Sequence, residues 1–226
     1  MNICVFGDSL ARGVVLDVTK EKYRTIKECF ANLLSESLGF ELENFSKFGC
    51  TVTKGSELVR RHANDIARAD YTVIEFGGND SDRIWSDISA APNEQHKAIT
   101  PPERFHEEYS ALIDDVLAAG GHPILLNLPP IDAERYFAWF SRNLNADNIL
   151  HWLGGDIQYI YRWHEQYSDD IGRIAFEKGV RLIDIRSAFL ARRDFRALLC
   201  GDGIHPSIEG HRLISDTIRE AAGELL

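Results

Sequence analysis

The feature that most constrains this chain is a run of four apolar residues, Ile3-Cys4-Val5-Phe6, broken at once by Gly7-Asp8. A strand with no polar residue on either face suits a parallel sheet that is covered on both sides. The apolar pattern restarts at Leu10, which leaves Ser9 at the break. That is the carboxyl end of a central strand, where open α/β sheets bind their ligands. Two readings of the break stand side by side. Asp8 or Ser9 caps the next helix, a task suited to both residue types, or Ser9 is a nucleophile. The second reading needs a base and an oxyanion hole from elsewhere in the chain.

The same punctuation recurs. Helical spacing of Ile26, Cys29, Phe30, Leu33, Leu34 and Leu38 predicts a helix over 20–38, stopped by Gly39. A short strand over 41–45, a loop over 44–51 and a helix over about 56–68 follow. Tyr71 to Phe76 is a second central strand, closed by Gly77-Gly78-Asn79-Asp80. A long connection, 81–102, leads to a helix over 103–119 that Gly120-Gly121 ends. Pro123 to Leu128 reads as a buried strand, followed by an aromatic-rich segment that merges into a helix over 157–178. A last strand over 180–184, a short helix over 186–193, the loop 200–206 and a closing helix from Ser207 to Leu225 complete the chain. Strands that alternate with helices imply an α/β fold, a parallel sheet with helices on both faces.

Composition narrows the class further. The 226 residues, 44% hydrophobic and without a Pro/Gly/Ser-rich linker, suit one domain over 1–226. A net charge of -10 argues against a nucleic-acid partner, whose phosphates need a basic face. No apolar run reaches the length of a membrane span. With the first strand beginning at Asn2 and no Cys-x-x-Cys pair among Cys4, Cys29, Cys50 and Cys200, a cytoplasmic location with free thiols is expected. The eight histidines show no metal-ligand spacing and no phosphate-binding glycine loop exists, so neither a metal nor a cofactor is expected.

Three breaks, each read as lying at a strand end, carry unusual polar residues: Ser9, Gly77-Gly78-Asn79-Asp80 and Asp202-Gly203-Ile204-His205. A serine hydroxyl needs a base, and an imidazole with a carboxylate three residues before it could supply one in a held tautomer. Each residue also has a plain reading as a turn or cap residue.

Together these blocks resemble the SGNH, or GDSL-type, hydrolase family. Gly7-Asp8-Ser9-Leu10 matches the family's first block, Gly49 looks like the glycine of the second, Gly77-Gly78-Asn79-Asp80 matches the third and Asp202-Gly203-Ile204-His205 the fifth. The resemblance implies a three-layer α/β/α fold with a flavodoxin-like parallel sheet. It makes Ser9, Asp202 and His205 the catalytic triad, and Ser9, Gly49 and Asn79 the oxyanion hole. Asp80 is read as pinning its loop.

The expected activity is hydrolysis of a small-molecule carboxylic ester through an acyl-enzyme on Ser9. The alternatives are a thioesterase or a carbohydrate deacetylase with the same triad, or a non-catalytic binding protein on the same fold. All four tryptophans fall in two connections, Trp85 in one and Trp139, Trp152 and Trp163 in the other. Trp85, Trp139 and Trp152 are accordingly candidate substrate-binding residues, in a cap formed by an aromatic-rich insertion at about 129–166. A small core of the segment's own, or the interface of a homo-oligomer, would also explain those rings.

Overall fold

The opening apolar run forms β1 (Asn2–Gly7) in a computed structural model that describes residues 1–17 and 19–223. Its side chains alternate: Cys4 and Phe6 enter one core cluster, Ile3 and Val5 another, so both faces are covered. Next come a single helical turn, α1 (Ser9–Arg12), and an antiparallel hairpin of β2 (Val14–Asp17) and β3 (Lys22–Thr25). The chain continues through α2 (Phe30–Leu38), β4 (Glu41–Asn44), α3 (Val52–Arg61), α4 (Ala63–Ile66) and β5 (Tyr71–Glu75). Then α5 (Gly78–Ser81), α6 (Trp85–Ala90) and α7 (Pro102–Ala118) lead to β6 (Pro123–Leu126). After α8 (Ala133–Ser141), α9 (Ala146–Trp152) and α10 (Gln158–Lys178) comes the last strand, β7 (Arg181–Ile183). Finally α11 (Ile185–Leu190), a 3-10 turn over Phe195–Leu198 and α12 (Ile208–Gly223) follow.

The main sheet has the order β4-β1-β5-β6-β7, with every neighbouring pair parallel. Numbered by their place in the chain, its strands run 2-1-3-4-5, the flavodoxin-like arrangement. The chain leaves β1 toward β4 and leaves β5 toward β6. The two connections therefore part beyond the carboxyl ends of β1 and β5, which opens a crevice there. Gly7 stands opposite Glu75 in the register, so the residues after each strand meet at that crevice.

One face of the sheet is covered by α3, α7 and α10, through Val52, Leu112, Ile113 and Ile171. The other is covered by α2, α11 and α12, through Phe30, Leu34, Phe189 and Ile214. A third cluster stands apart from both. Trp85 and Ile88 of α6, Tyr136 of α8, Ile149 of α9 and Ile160 of α10 form its buried centre. Among the described residues no helix is long and apolar enough to cross a membrane.

Several elements differ from the sequence reading. The helix expected over 20–38 begins only at Phe30, because Lys22–Thr25 pairs with Val14–Asp17 and Cys29 has extended backbone. The helix expected over 56–68 starts four residues earlier and breaks at His62; its first amide, Val52 N–H, is met by the distant Asp80 carboxylate at 3.1 Å. The aromatic-rich segment is two helices rather than a loop, each capped by a side chain that accepts from its first turn, Asp132 for α8 and Asn145 for α9. The stretch Asp202–His205 does not lie at a strand end. It follows α11 and the 3-10 turn, and a bridge between Leu199 and Pro206 closes it into a loop. The closing helix is described as far as Gly223, and the expected end at Leu225 lies outside the described residues.

Candidate active site

Asp8 caps α1, its carboxylate accepting from Leu10 N–H at 2.9 Å. The capping reading thus holds for Asp8 and leaves Ser9 as the first helical residue. The Ser9 hydroxyl, in a buried residue, lies 3.0 Å from His205 Nε2, although the two are 196 positions apart in the chain. His205 Nδ1 lies 2.7 Å from Asp202 Oδ2. An ionised carboxylate only accepts, so Nδ1 carries the ring proton and Nε2 presents its lone pair to the serine.

Asp202 is fully buried and also accepts from the N–H groups of Ile204 and His205, each at 3.2 Å. Burial pushes its carboxyl pKa up, but the hydrogen bond and charge of His205 and these two amides outweigh burial and hold it below the usual carboxylate range. Gly203 sets the loop's path. It has φ +77°, a Cβ there would sit 2.5 Å from the Asp132 carbonyl, and its own carbonyl accepts from Asp132 N–H at 2.8 Å. The triad loop is thereby tied to the start of α8.

Of the three expected oxyanion donors, the backbone N–H groups of Ser9 and Gly49 have no acceptor among the described residues. Gly49 reaches its position at φ +67°. The Asn79 amide is at the site but engaged, donating to Asp8 Oδ2 at 2.8 Å and to the Cys50 carbonyl at 3.2 Å. Asp80 accepts from Val52 N–H and from Thr100 Oγ1, the latter at 2.6 Å. Burial pushes its pKa up to about 7 in spite of these donors. It pins the loop, as its place in the sequence suggests.

Two residues beside Ser9 and His205 escape the sequence reading. Glu75, the last residue of β5, is buried against Asp8 and accepts its N–H at 3.4 Å. Burial and the Asp8 charge raise its pKa well above the ordinary value. The available signal was a carboxylate inside an otherwise apolar strand. Tyr23, on β3, sets its ring 5.0 Å from that of His205 and accepts a hydrogen bond from Trp139 Nε1 at 2.9 Å. It is hidden from a reading that folds its segment into a helix.

Ser9, Asn79 and His205 open onto a cavity of about 400 Å³. Trp85, Trp139 and Trp163 contribute to its wall, with Tyr136 and Phe140. Trp152 does not. Its indole N–H donates to the Glu94 carbonyl at 3.1 Å, and its ring packs on Trp163 and His96. The aromatic rings of this region form a core of their own and wall the cavity as well.

The fold has a wide set of structural counterparts. A lipase/acylhydrolase from Enterococcus faecalis superposes with a TM-score of 0.69 at 19% identity, over 99% of this chain and 96% of that one. The protein TesA gives 0.66 at 18% identity, over the whole of both chains. Est24, a carbohydrate acetylesterase from Sinorhizobium meliloti, gives 0.70 at 14% identity, over 100% and 99%. At such identities the likeness is one of fold. No curated protein matches the chain in sequence. The model of one family does, over residues 5–213, and the chain therefore belongs to the GDSL-like Lipase/Acylhydrolase family of carboxylic-ester hydrolases.

Proposed function

We propose that the protein hydrolyses a small-molecule carboxylic ester through an acyl-enzyme on Ser9. The observation that carries this reading is the unbroken line from Asp202 Oδ2 through His205 to Ser9 Oγ, at 2.7 and 3.0 Å. Ser9 Oγ attacks the carbonyl carbon while His205 Nε2 takes its proton. Asp202 keeps the imidazole in the needed tautomer and stabilises the imidazolium. Negative charge then grows on the carbonyl oxygen, and the free N–H groups of Ser9 and Gly49 are suited to receive it. The Asn79 amide joins them by giving up its longer bond, to Cys50. The imidazolium returns the proton to the leaving alcohol, and water deacylates the serine by the reverse sequence.

On this reading the aromatic segment is a cap within a single domain. Trp85 and Trp139 face the substrate, and Trp152 supports the cap from behind. A fluorophosphonate probe tests the nucleophile. It should label folded wild type at Ser9 and leave Ser9→Ala unlabelled; a wild type without label is a binding protein on this fold.

A second reading, removal of an acyl group from a sugar, is favoured by one feature. Phe48, 58% exposed, and Tyr23 present aromatic faces beside the His205 ring, and such faces suit the apolar side of a sugar. Est24 is named a carbohydrate acetylesterase, and another structure of this fold is named an acetyl xylan esterase. Comparing kcat/KM for acetylated sugars, acyl thioesters and simple aryl esters separates these substrate classes.

A further inference from the structure

The cavity beside Ser9 holds a cation that, among the described residues, no carboxylate touches. Arg83 stands four residues beyond Asn79 and lines that cavity. Its guanidinium carbon lies 3.4 Å from the ring centroid of Trp163 and 5.6 Å from that of Trp152. One nitrogen donates to the Ser81 carbonyl at 3.2 Å. The buried Nε has no partner, and no carboxylate lies within 4 Å of the guanidinium, among the described residues. The adjacent Asp82 is occupied otherwise, accepting from Trp85 Nε1 at 2.8 Å and from the Tyr136 hydroxyl at 2.6 Å.

Arg142, on the same cavity wall, likewise has no carboxylate partner among the described residues, but it rests on the Trp139 ring and donates to the Trp139 carbonyl. Arg60, Arg68, Arg104, Arg162 and Arg219 each sit on a carboxylate at the surface, where pairing gains little. The half-buried Arg83, where a counter-ion would matter more, has none. Burial lowers its pKa only to about 10, so it stays charged at neutral pH. The indole face offsets part of the desolvation. A second unsatisfied group lines the same cavity: the buried His164 Nδ1 has no partner, and burial keeps that ring neutral, its pKa pushed down to about 3.

We propose that the substrate supplies the missing counter-ion: the ester cleaved at Ser9 carries an anionic group, a carboxylate or a phosphate, away from the scissile bond, and Arg83 receives it with His164 beside it. The inference rests on the hydrolase reading above and narrows its substrate class. A planar guanidinium with free N–H groups offers the paired hydrogen bonds that carboxylate and phosphate oxygens accept. Asp8 and Glu75 also line the cavity without cancelling this charge: Asp8 is held by Leu10 N–H and Asn79, and Glu75 is kept protonated by burial.

Two pairs of esters matched in size test the proposal by kcat/KM. In one, phenyl 4-methylpentanoate against phenyl hemisuccinate, the charge is on the acyl side. In the other, 4,4-dimethylpentyl acetate against 2-acetoxyethyl phosphate, it is on the alcohol side. At low salt at least one charged member should exceed its neutral partner tenfold or more. That ratio should fall toward unity in Arg83→Met and be kept in part by Arg83→Lys. The ratio is taken on one preparation, so a misfolded fraction does not alter it. Wild type that cleaves the neutral members without preferring either anion overturns this inference alone, as does an anion preference that survives Arg83→Met. A protein that cleaves none of the four overturns the hydrolase reading and this inference together.

Discussion

Beneath Ser9 lie two carboxyl groups, Asp8 and Glu75, that the ester chemistry does not consume. Asp8 orders both the helix that begins at Ser9, the proposed nucleophile, through Leu10 N–H, and the proposed oxyanion donor, through Asn79 Nδ2. Glu75 backs Asp8, and its raised pKa makes it the member that keeps a proton. The unfolded chain gives that proton up above about 4.5. The stability it contributes is therefore full below that pH and lost as pH climbs toward the folded value. Glutamine mimics the protonated acid and has nothing to lose. Urea unfolding from pH 5 to 8 should show Glu75→Gln gaining on wild type with rising pH, up to about 1.4 kcal/mol per unit; parallel curves would mean Glu75 is ionised in the folded protein. Glu75→Ala, which leaves Asp8 without its neighbour, should lower kcat more than Glu75→Gln does. Ser9→Ala and His205→Ala should each remove nearly all turnover, with the double variant little worse, because nucleophile and base act as one unit. Losses that multiply would show two independent roles. Asn79→Ala should lower kcat by roughly 10²–10³ with KM little changed, the cost of one oxyanion donor. A raised KM at normal kcat would make Asn79 a binding residue.

At the scale of elements, the central strands were legible because each is a short apolar run cut off by Gly, Pro or Asp, as at Phe6-Gly7 and Phe76-Gly77, and the edge strand β4 by the alternation of Glu41 to Asn44. Ser9 and Asn79 were legible because they fill those breaks, whereas Asp202 and His205, in a loop after the 3-10 turn, were legible only through their Asp-x-x-His spacing. The hairpin was not, because Ile26, Cys29 and Phe30 share a helical spacing although only Phe30 is helical, so Tyr23 went unplaced beside His205. Nor was Arg83, since a single charge in a connection carries no mark of being buried, whereas Glu75 left one, a carboxylate between Ile74 and Phe76. The tryptophans could be counted but not aimed: Trp85 and Trp139 reach the cavity and Trp152 does not. That difference yields a test of the cap. Each methylene that enters an apolar wall is worth about 0.8 kcal/mol, roughly fourfold in kcat/KM. Profiles against acyl chain length should shift for Trp85→Ala and Trp139→Ala and keep the wild-type shape for Trp152→Ala. Identical profiles in all four proteins would remove the cap from substrate selection.

For the molecule as a whole, acid should be the damaging direction wherever neutral histidines are buried. His211, at the packing of α12 on α2, has both ring nitrogens unpartnered among the described residues, and burial lowers its pKa to about 4. Between that value and 6.5 the unfolded chain binds a proton that the folded one refuses, so stability is full above 6.5 and falls as pH drops. His211→Leu should reduce the loss of unfolding free energy between pH 7 and pH 5 by about 2 kcal/mol, measured by urea titration at both values; an unchanged loss would place the acid sensitivity elsewhere. The 196 positions between Ser9 and His205 carry a consequence in time rather than in space. Ser9 leaves the ribosome 196 residues ahead of His205, so on the proposed mechanism nothing can be hydrolysed until the Asp202–His205 loop has emerged. Closing so long a loop is among the slower steps of folding. Catalysis then serves as a completion signal: after dilution from denaturant, turnover should return later than the helical signal, and a nick that frees the Asp202–His205 loop should silence the enzyme while the sheet still stands.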